Sequence, residues 1–214
     1  MIKYVFFDLD GTITEPADGI TSSARYALEQ FGIKVKSNTE LLAFIGPPLQ
    51  DSFKNFYGMD EKMAFEAVKI YRKHYLENGI FKCSLYPNIV TLLRKLKELG
   101  YILVVATSKP QPYAIDILKH FNILHYFTFV SGASLDTKRS KKEDIIKYAM
   151  DNLNIKDSSQ IIMIGDRKFD VIGARKHNID CIGVLYGYGN LQEFLDENCK
   201  YIVKDVLDIL NILK

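Results

Sequence analysis

Cysteine is scarce in this chain. Cys83, Cys181 and Cys199 form an odd count, widely spaced and without a CxxC pair. That excludes a disulfide framework or a zinc knuckle, and a reducing, cytoplasmic setting is expected. Long apolar runs are also missing. Asp8 cuts the opening stretch, and the longest later one, 101–106, is only strand-sized. A secretory segment needs roughly 7–15 apolar residues and a membrane span roughly 20, so no membrane partner is expected. Nor is there an excess of charge of one sign: 28 Lys and Arg face 26 Asp and Glu, for a net charge of +2. With a pI near 8.3, that balance argues against a nucleic-acid partner, which normally brings a strong basic excess. Internal repeats and low-complexity segments are absent too.

What remains is a composition that folds. At 48% hydrophobic and 25% charged, the 214 residues are outside the disordered range. A chain of this size buries roughly 70% of its unfolded surface. Short apolar runs recur at Tyr4–Phe7, 102–106, 127–130, 161–164 and 181–185, with little alternation. Such runs suit strands covered on both faces of a parallel sheet. Segments of helical period lie between them. Asn88 is expected to cap a helix burying Ile89, Leu92, Leu93, Leu96 and Leu99, with Gly100 as its stop. A second helix, 142–153, places Ile145, Ile146, Ala149 and Leu153 on one face. Strand and helix alternating in this way predict an α/β fold with a doubly wound parallel sheet.

One stretch breaks the alternation. Between 16 and 79 only helical pattern is found: Ile20, Ala24, Ala27, Leu28 and Phe31 on one face, then Leu49, Phe53 and Phe56. A long helix follows, capped by Asp60 and stopping at Gly79. The expected organisation is therefore a core of 1–14 and 84–214 with an all-helical insertion at 15–83.

In an open parallel sheet, ligands bind beyond the carboxyl ends of the strands. Those ends carry Asp8-Leu9-Asp10-Gly11-Thr12, Thr107-Ser108-Lys109 and Gly165-Asp166-Arg167-Lys168-Phe169-Asp170, and Lys142 opens the helix after the third strand. Carboxylates gathered in one cleft repel each other unless a cation neutralises them. A hard divalent ion such as Mg²⁺ suits oxygen ligands. The i, i+2 spacing of Asp8 and Asp10 would put both on one face of a regular strand, so that one carboxylate attacks while the other moves protons. Lys142, the Thr107 hydroxyl and nearby N–H groups would meet phosphate oxygens. The basic run around position 142 leaves two candidate lysines, Lys141 and Lys142. Lys142 is favoured because it directly precedes the helix burying Ile145 and Ile146. Gly187-Tyr188-Gly189 lacks the third glycine of a dinucleotide fingerprint and reads as a plain strand–helix turn.

These four segments, in this order and spanning Asp8 to Asp170, resemble the motifs of the haloacid dehalogenase-like phosphatases. The helical insertion matches the position of that family's cap. The segments 10–20, 44–49, 106–110 and 133–145 look closest to its phosphoglycolate phosphatase and 5′-nucleotidase branch. The resemblance implies that Asp8 attacks phosphorus and forms an aspartyl-phosphate, with Asp10 as general acid/base. It implies that Thr107, the Ser108 N–H and Lys142 bind the phosphoryl group. Mg²⁺ would be held by Asp8, the Asp10 carbonyl and Asp166, with Asp170 binding a metal water or holding Lys142. Ser108 stands where relatives often carry Asn, a departure expected to matter little because its backbone N–H acts. The implied partner is a small phosphorylated metabolite, phosphoglycolate or a nucleoside 5′-monophosphate, and the protein would be a monomer or homodimer. Gly46 and Pro47 in the insertion would set leaving-group choice, with Arg25, Lys54 or Arg72 meeting a second anion. A phosphosugar mutase on the same scaffold is the alternative reading.

Overall fold

The structure is a computed structural model describing residues 1–136 and 138–213. The chain divides into two compact units, one of Met1–Glu15 with Leu85–Lys214 and one of Pro16–Ser84.

The first unit is built on six strands: β1 (Tyr4–Phe7), β4 (Ile102–Pro110), β5 (Phe127–Ala133), β6 (Ile161–Gly165), β7 (Asp180–Val184) and β8 (Tyr201–Val203). Two further strands, β2 (Thr14–Glu15) and β3 (Ser84–Leu85), mark the crossings between units. The sheet order is β5-β4-β1-β6-β7-β8 and every pairing is parallel. Three consecutive residues of β1, Val5, Phe6 and Phe7, are all fully buried. Only a strand covered on both faces can do this, which is why the run is continuously apolar.

Helices supply that cover. In the first unit they are α4 (Ile89–Glu98), α5 (Gln111–His120), α6 (Lys142–Asn152), α7 (Lys168–Arg175), α8 (Leu191–Asp196) and the short Ile209–Leu213. One face of the sheet packs Phe6, Val104, Ala106 and Met163 against Ile145, Ile146 and Ala149 of α6 and Val171 and Ala174 of α7. The register then fixes the site. Phe7 lies beside Val105 of β4 and Ile164 of β6. The next residues, Asp8, Ala106 and Gly165, therefore stand side by side at one level, with Thr107 and Asp166 one step further. At this centre the strand order reverses direction, because the chain crosses from β5 to β6 on the other side of β1.

The second unit contains α1 (Ala17–Glu29), a 3₁₀ segment (Asn38–Phe44), α2 (Leu49–Tyr57), α3 (Glu61–His74) and a wide turn at Tyr75–Gly79. Asp60 accepts the Met63 N–H at 2.8 Å and caps α3. The Phe44 ring meets Phe53 edge-on at 5.0 Å.

Several local expectations need correction. Asn88 makes no side-chain cap; its φ of 69° places it in the left-handed region, which asparagine tolerates better than most residues. β4 and β5 run beyond their apolar stretches, to Pro110 and Ala133. β8 was not foreseen, since a three-residue edge strand carries little pattern. Among the described residues no helix is long and apolar enough to cross a membrane.

Phe194 of α8 is fully buried, with its ring over Gly183, where an added Cβ would come within 2.7 Å. Phe194→Ala should destabilise this unit by about 3–5 kcal/mol, read as a lower urea midpoint. A midpoint unchanged within error would mean that the ring is not part of the core.

Candidate active site

Asp8 stands just past β1. Its N–H continues the sheet ladder to the Ile164 carbonyl at 2.9 Å, and its Oδ1 accepts the Leu9 N–H at 2.7 Å. Leu9 and Ile13 are fully buried and anchor the turn that follows. Within that turn Gly11 has a φ of 83°, and a Cβ there would sit 2.1 Å from Asp166 Oδ2. Both the backbone and the space demand glycine. Because β1 ends at Phe7, Asp8 and Asp10 do not share a strand face, and the turn sends them to different lysines.

Lys142, the first residue of α6, is only 5% exposed. Its Nζ lies 2.9 Å from Asp8 Oδ2 and 2.7 Å from Asp170 Oδ1, and it donates to the Ala106 carbonyl at 3.0 Å. Burial works against its charge, but the Asp170 and Asp8 carboxylates outweigh that and push its pKa up. Lys141, by contrast, is exposed. Of the two candidate lysines, the one in the cluster is Lys142.

Asp166 is fully buried. It accepts the Tyr188 N–H at 2.8 Å and, more loosely, the Thr12 hydroxyl at 3.4 Å. Burial first, then repulsion from Asp170 and Asp8, pushes its pKa well above the usual carboxylate range. Asp170 sits in the first turn of α7. Burial raises its pKa to about 6, against the pull of Lys142 and with added repulsion from Asp8. Its Oδ1 is buried, with the Lys142 ammonium 2.7 Å away as its partner.

Asp8, Asp166 and Asp170 each offer an oxygen, all within 4.8 Å of one another. Three carboxylates thus face a single ammonium in a dry place, where unpaired charge is costly. Ligands on opposite sides of Mg²⁺ stand about 4 Å apart. Spacing, donor chemistry and the surplus of carboxylates all fit a divalent cation.

Thr107 is 1% exposed and its Oγ1 accepts the Lys109 N–H at 3.2 Å; Ser108 is half-buried beside it. Asp10 lies at the same end of the sheet, with Oδ2 2.6 Å from Lys109 Nζ and Oδ1 accepting the Thr14 hydroxyl at 3.4 Å. Gly46 and Pro47 belong to the helical unit, in the turn before α2. Within that unit Arg25 is held by the Val35 carbonyl at 2.8 Å and by Asn38, and Lys54 pairs with Glu61 at 2.7 Å.

Two features of the site were missed in the sequence. One is the Lys109–Asp10 pair. The other is the loop read as a plain turn, whose Tyr188 N–H binds Asp166 while Tyr186 donates to the Thr12 carbonyl at 3.0 Å. A Cβ at Gly187 would come within 2.3 Å of the Asp166 Cβ and of the Gly11 carbonyl oxygen. The signal available was a glycine-flanked tyrosine after a strand end, which is common in turns.

A parallel sheet whose central strand delivers a lysine-paired aspartate into an acidic, cation-ready cluster is suited to phosphoryl transfer. The chain belongs to the haloacid dehalogenase-like hydrolase family, whose profile matches residues 5–184. The resemblance drawn from the motifs is thereby borne out. A 5′-nucleotidase from Pseudomonas aeruginosa is 37% identical over 210 residues, 98% of this chain and 95% of that protein. Tyrosine-protein kinase PtkA from Mycobacterium tuberculosis is 39% identical over 201 residues, 94% of this chain and 68% of that one. The crystal structure of a predicted phosphatase from Clostridium acetobutylicum has a TM-score of 0.97 and 46% identity, covering 100% of this chain and 98% of its own.

The raised carboxylates make ion binding depend on pH. Below the ordinary carboxylate range the Asp170 proton favours the folded, metal-free chain, and that contribution is lost as pH rises through about 6. An entering ion must displace that proton. Mg²⁺ should therefore bind at least about tenfold more weakly at pH 5 than at pH 7.5, measured by calorimetry. Equal affinity at both would show that these carboxylates do not hold it.

Proposed function

We propose that this chain hydrolyses small phosphomonoesters through an aspartyl-phosphate on Asp8. The observation that carries the reading is the position of Asp8, ion-paired to buried Lys142 at 2.9 Å and grouped with Asp166 and Asp170.

The steps follow from what each side chain can do. Lys142 holds Asp8 through one oxygen and offers its charge to the incoming phosphoryl group. The Thr107 hydroxyl and the Ser108 N–H bind the equatorial oxygens. Asp8 attacks phosphorus as the bond to the leaving oxygen breaks, and Asp10 gives that oxygen its proton. A water then attacks phosphorus, Asp10 takes its proton, and phosphate leaves Asp8. Asp8, the Asp10 carbonyl and Asp166 would hold Mg²⁺, which when bound offsets repulsion between substrate and carboxylates. Asp170 keeps Lys142 in place from α7.

The substrate proposed is a nucleoside 5′-monophosphate or phosphoglycolate. The Pseudomonas 5′-nucleotidase, alike along nearly its whole length, supports the former. Gly46 and Pro47 are proposed to discriminate between leaving groups.

Asp8→Asn keeps the shape and removes the nucleophile, so turnover should fall at least about 10³-fold with the fold intact. The assay is phosphate release from a panel of phosphorylated metabolites, with Mg²⁺ and with chelator, and without any bisphosphate activator. Near-normal turnover by the variant refutes the covalent route. A strict need for a bisphosphate would favour the mutase.

A further inference from the structure

Lys109 lies on β4 two residues past Thr107, where the β4–β5 register shifts between Thr107 and Pro110. The backbone here is tightly held. A Cβ on Gly132 of β5 would come within 2.7 Å of the Lys109 carbonyl oxygen, so only glycine lets β5 approach this closely. The side chain is enclosed as well. Lys109 Nζ is 2.6 Å from Asp10 Oδ2, with the two side chains 5% and 14% exposed. The other Asp10 oxygen accepts the Thr14 hydroxyl. Asp10 is thus gripped at both oxygens, from two segments far apart in the chain. An exposed ion pair would do little to hold a carboxylate still. At this depth, breaking the pair leaves a charge with little water to replace its partner, so the geometry is firmly set.

We propose that Lys109 is the positioning residue for Asp10, holding that carboxylate where it receives the proton of the attacking water in the second half-reaction. The inference rests on the roles of Asp8 and Asp10 proposed above. In that half-reaction the water oxygen bonds to phosphorus, the bond from phosphorus to the Asp8 oxygen breaks, and the water proton passes to Asp10. The products are inorganic phosphate and free Asp8. The lysine pair fixes Asp10 as the carboxylate that can take this proton. Displacement of a proton acceptor by about 1 Å can cost on the order of 10²-fold in rate.

The test is rapid mixing with 4-nitrophenyl phosphate, whose leaving group departs without needing a proton. Lys109→Met should still release about one equivalent of nitrophenolate in a burst, after which steady turnover falls about 10²-fold as phosphoenzyme accumulates. Lys109→Arg, which keeps the charge, should recover much of the steady rate. In an Asp10→Asn background, Lys109→Met should change the remaining rate by less than about twofold, because residues acting through one another are not additive. The proposal is overturned if burst and steady rate fall by the same factor, if Lys109→Met turns over normally, or if the two substitutions multiply. Should Lys109→Met not fold, the same comparison is made with Lys109→Gln, which also removes the charge. A slowed steady rate that vanishes as an effect in Asp10→Asn supports the proposal, and any other result overturns it. Asp8→Asn is run alongside: if that variant gives burst and turnover, the covalent reading fails, whatever Lys109 does.

Discussion

The cluster beyond β1 is built on an imbalance of buried charge. Lys142 stands between Asp8 and Asp170 while Asp166 adds a third carboxylate within reach. Burying one ammonium beside one carboxylate would be neutral. Burying it beside three leaves a surplus of carboxylates that suits a divalent ion. The surrounding structure is arranged to keep this imbalance in place. α6 carries the lysine into the sheet end, α7 brings Asp170 behind it, and the Tyr188 N–H and Thr12 hydroxyl steady Asp166.

Backbone placement does as much as side chains. Because β1 sits between β4 and β6 in matched register, Asp8, Thr107 and Asp166 come from one end of three adjacent strands. Glycines at 11 and 187 then let two loops close on Asp166 at distances no side chain would allow. The carboxylate is walled in by main chain, which explains why it is fully buried while remaining close to Asp8.

The sheet and the acidic positions were legible because each left a local mark. Apolar runs without alternation marked the strands, and Asp8, Thr107, Lys142 and Asp166 each stood where such a run or a helix began or ended. What was not legible depends on neighbours from elsewhere in the chain. Lys109 looks like any lysine after a strand until the fold sets it 2.6 Å from Asp10. The expected shared face of Asp8 and Asp10 failed because β1 stops at Phe7, and no pattern of apolar residues marks that stop. The Gly187-Tyr188 loop had the composition of an ordinary turn, and its contact with Asp166 exists only through the pairing of β6 and β7. Asn88 followed its φ rather than its capping preference.

The place of β1 in the middle of the sheet also sets the order in which the molecule can form. Its partners, β4 and β6, lie roughly a hundred or more residues downstream. During synthesis, the first apolar segment therefore has no strand to join until β4 has emerged, and waits longer still for β6. Such topology is rich in distant pairings and is expected to fold slowly. Asp8 is the earliest of the clustered side chains to leave the ribosome, and its setting exists only once β4, α6 and β6 have followed.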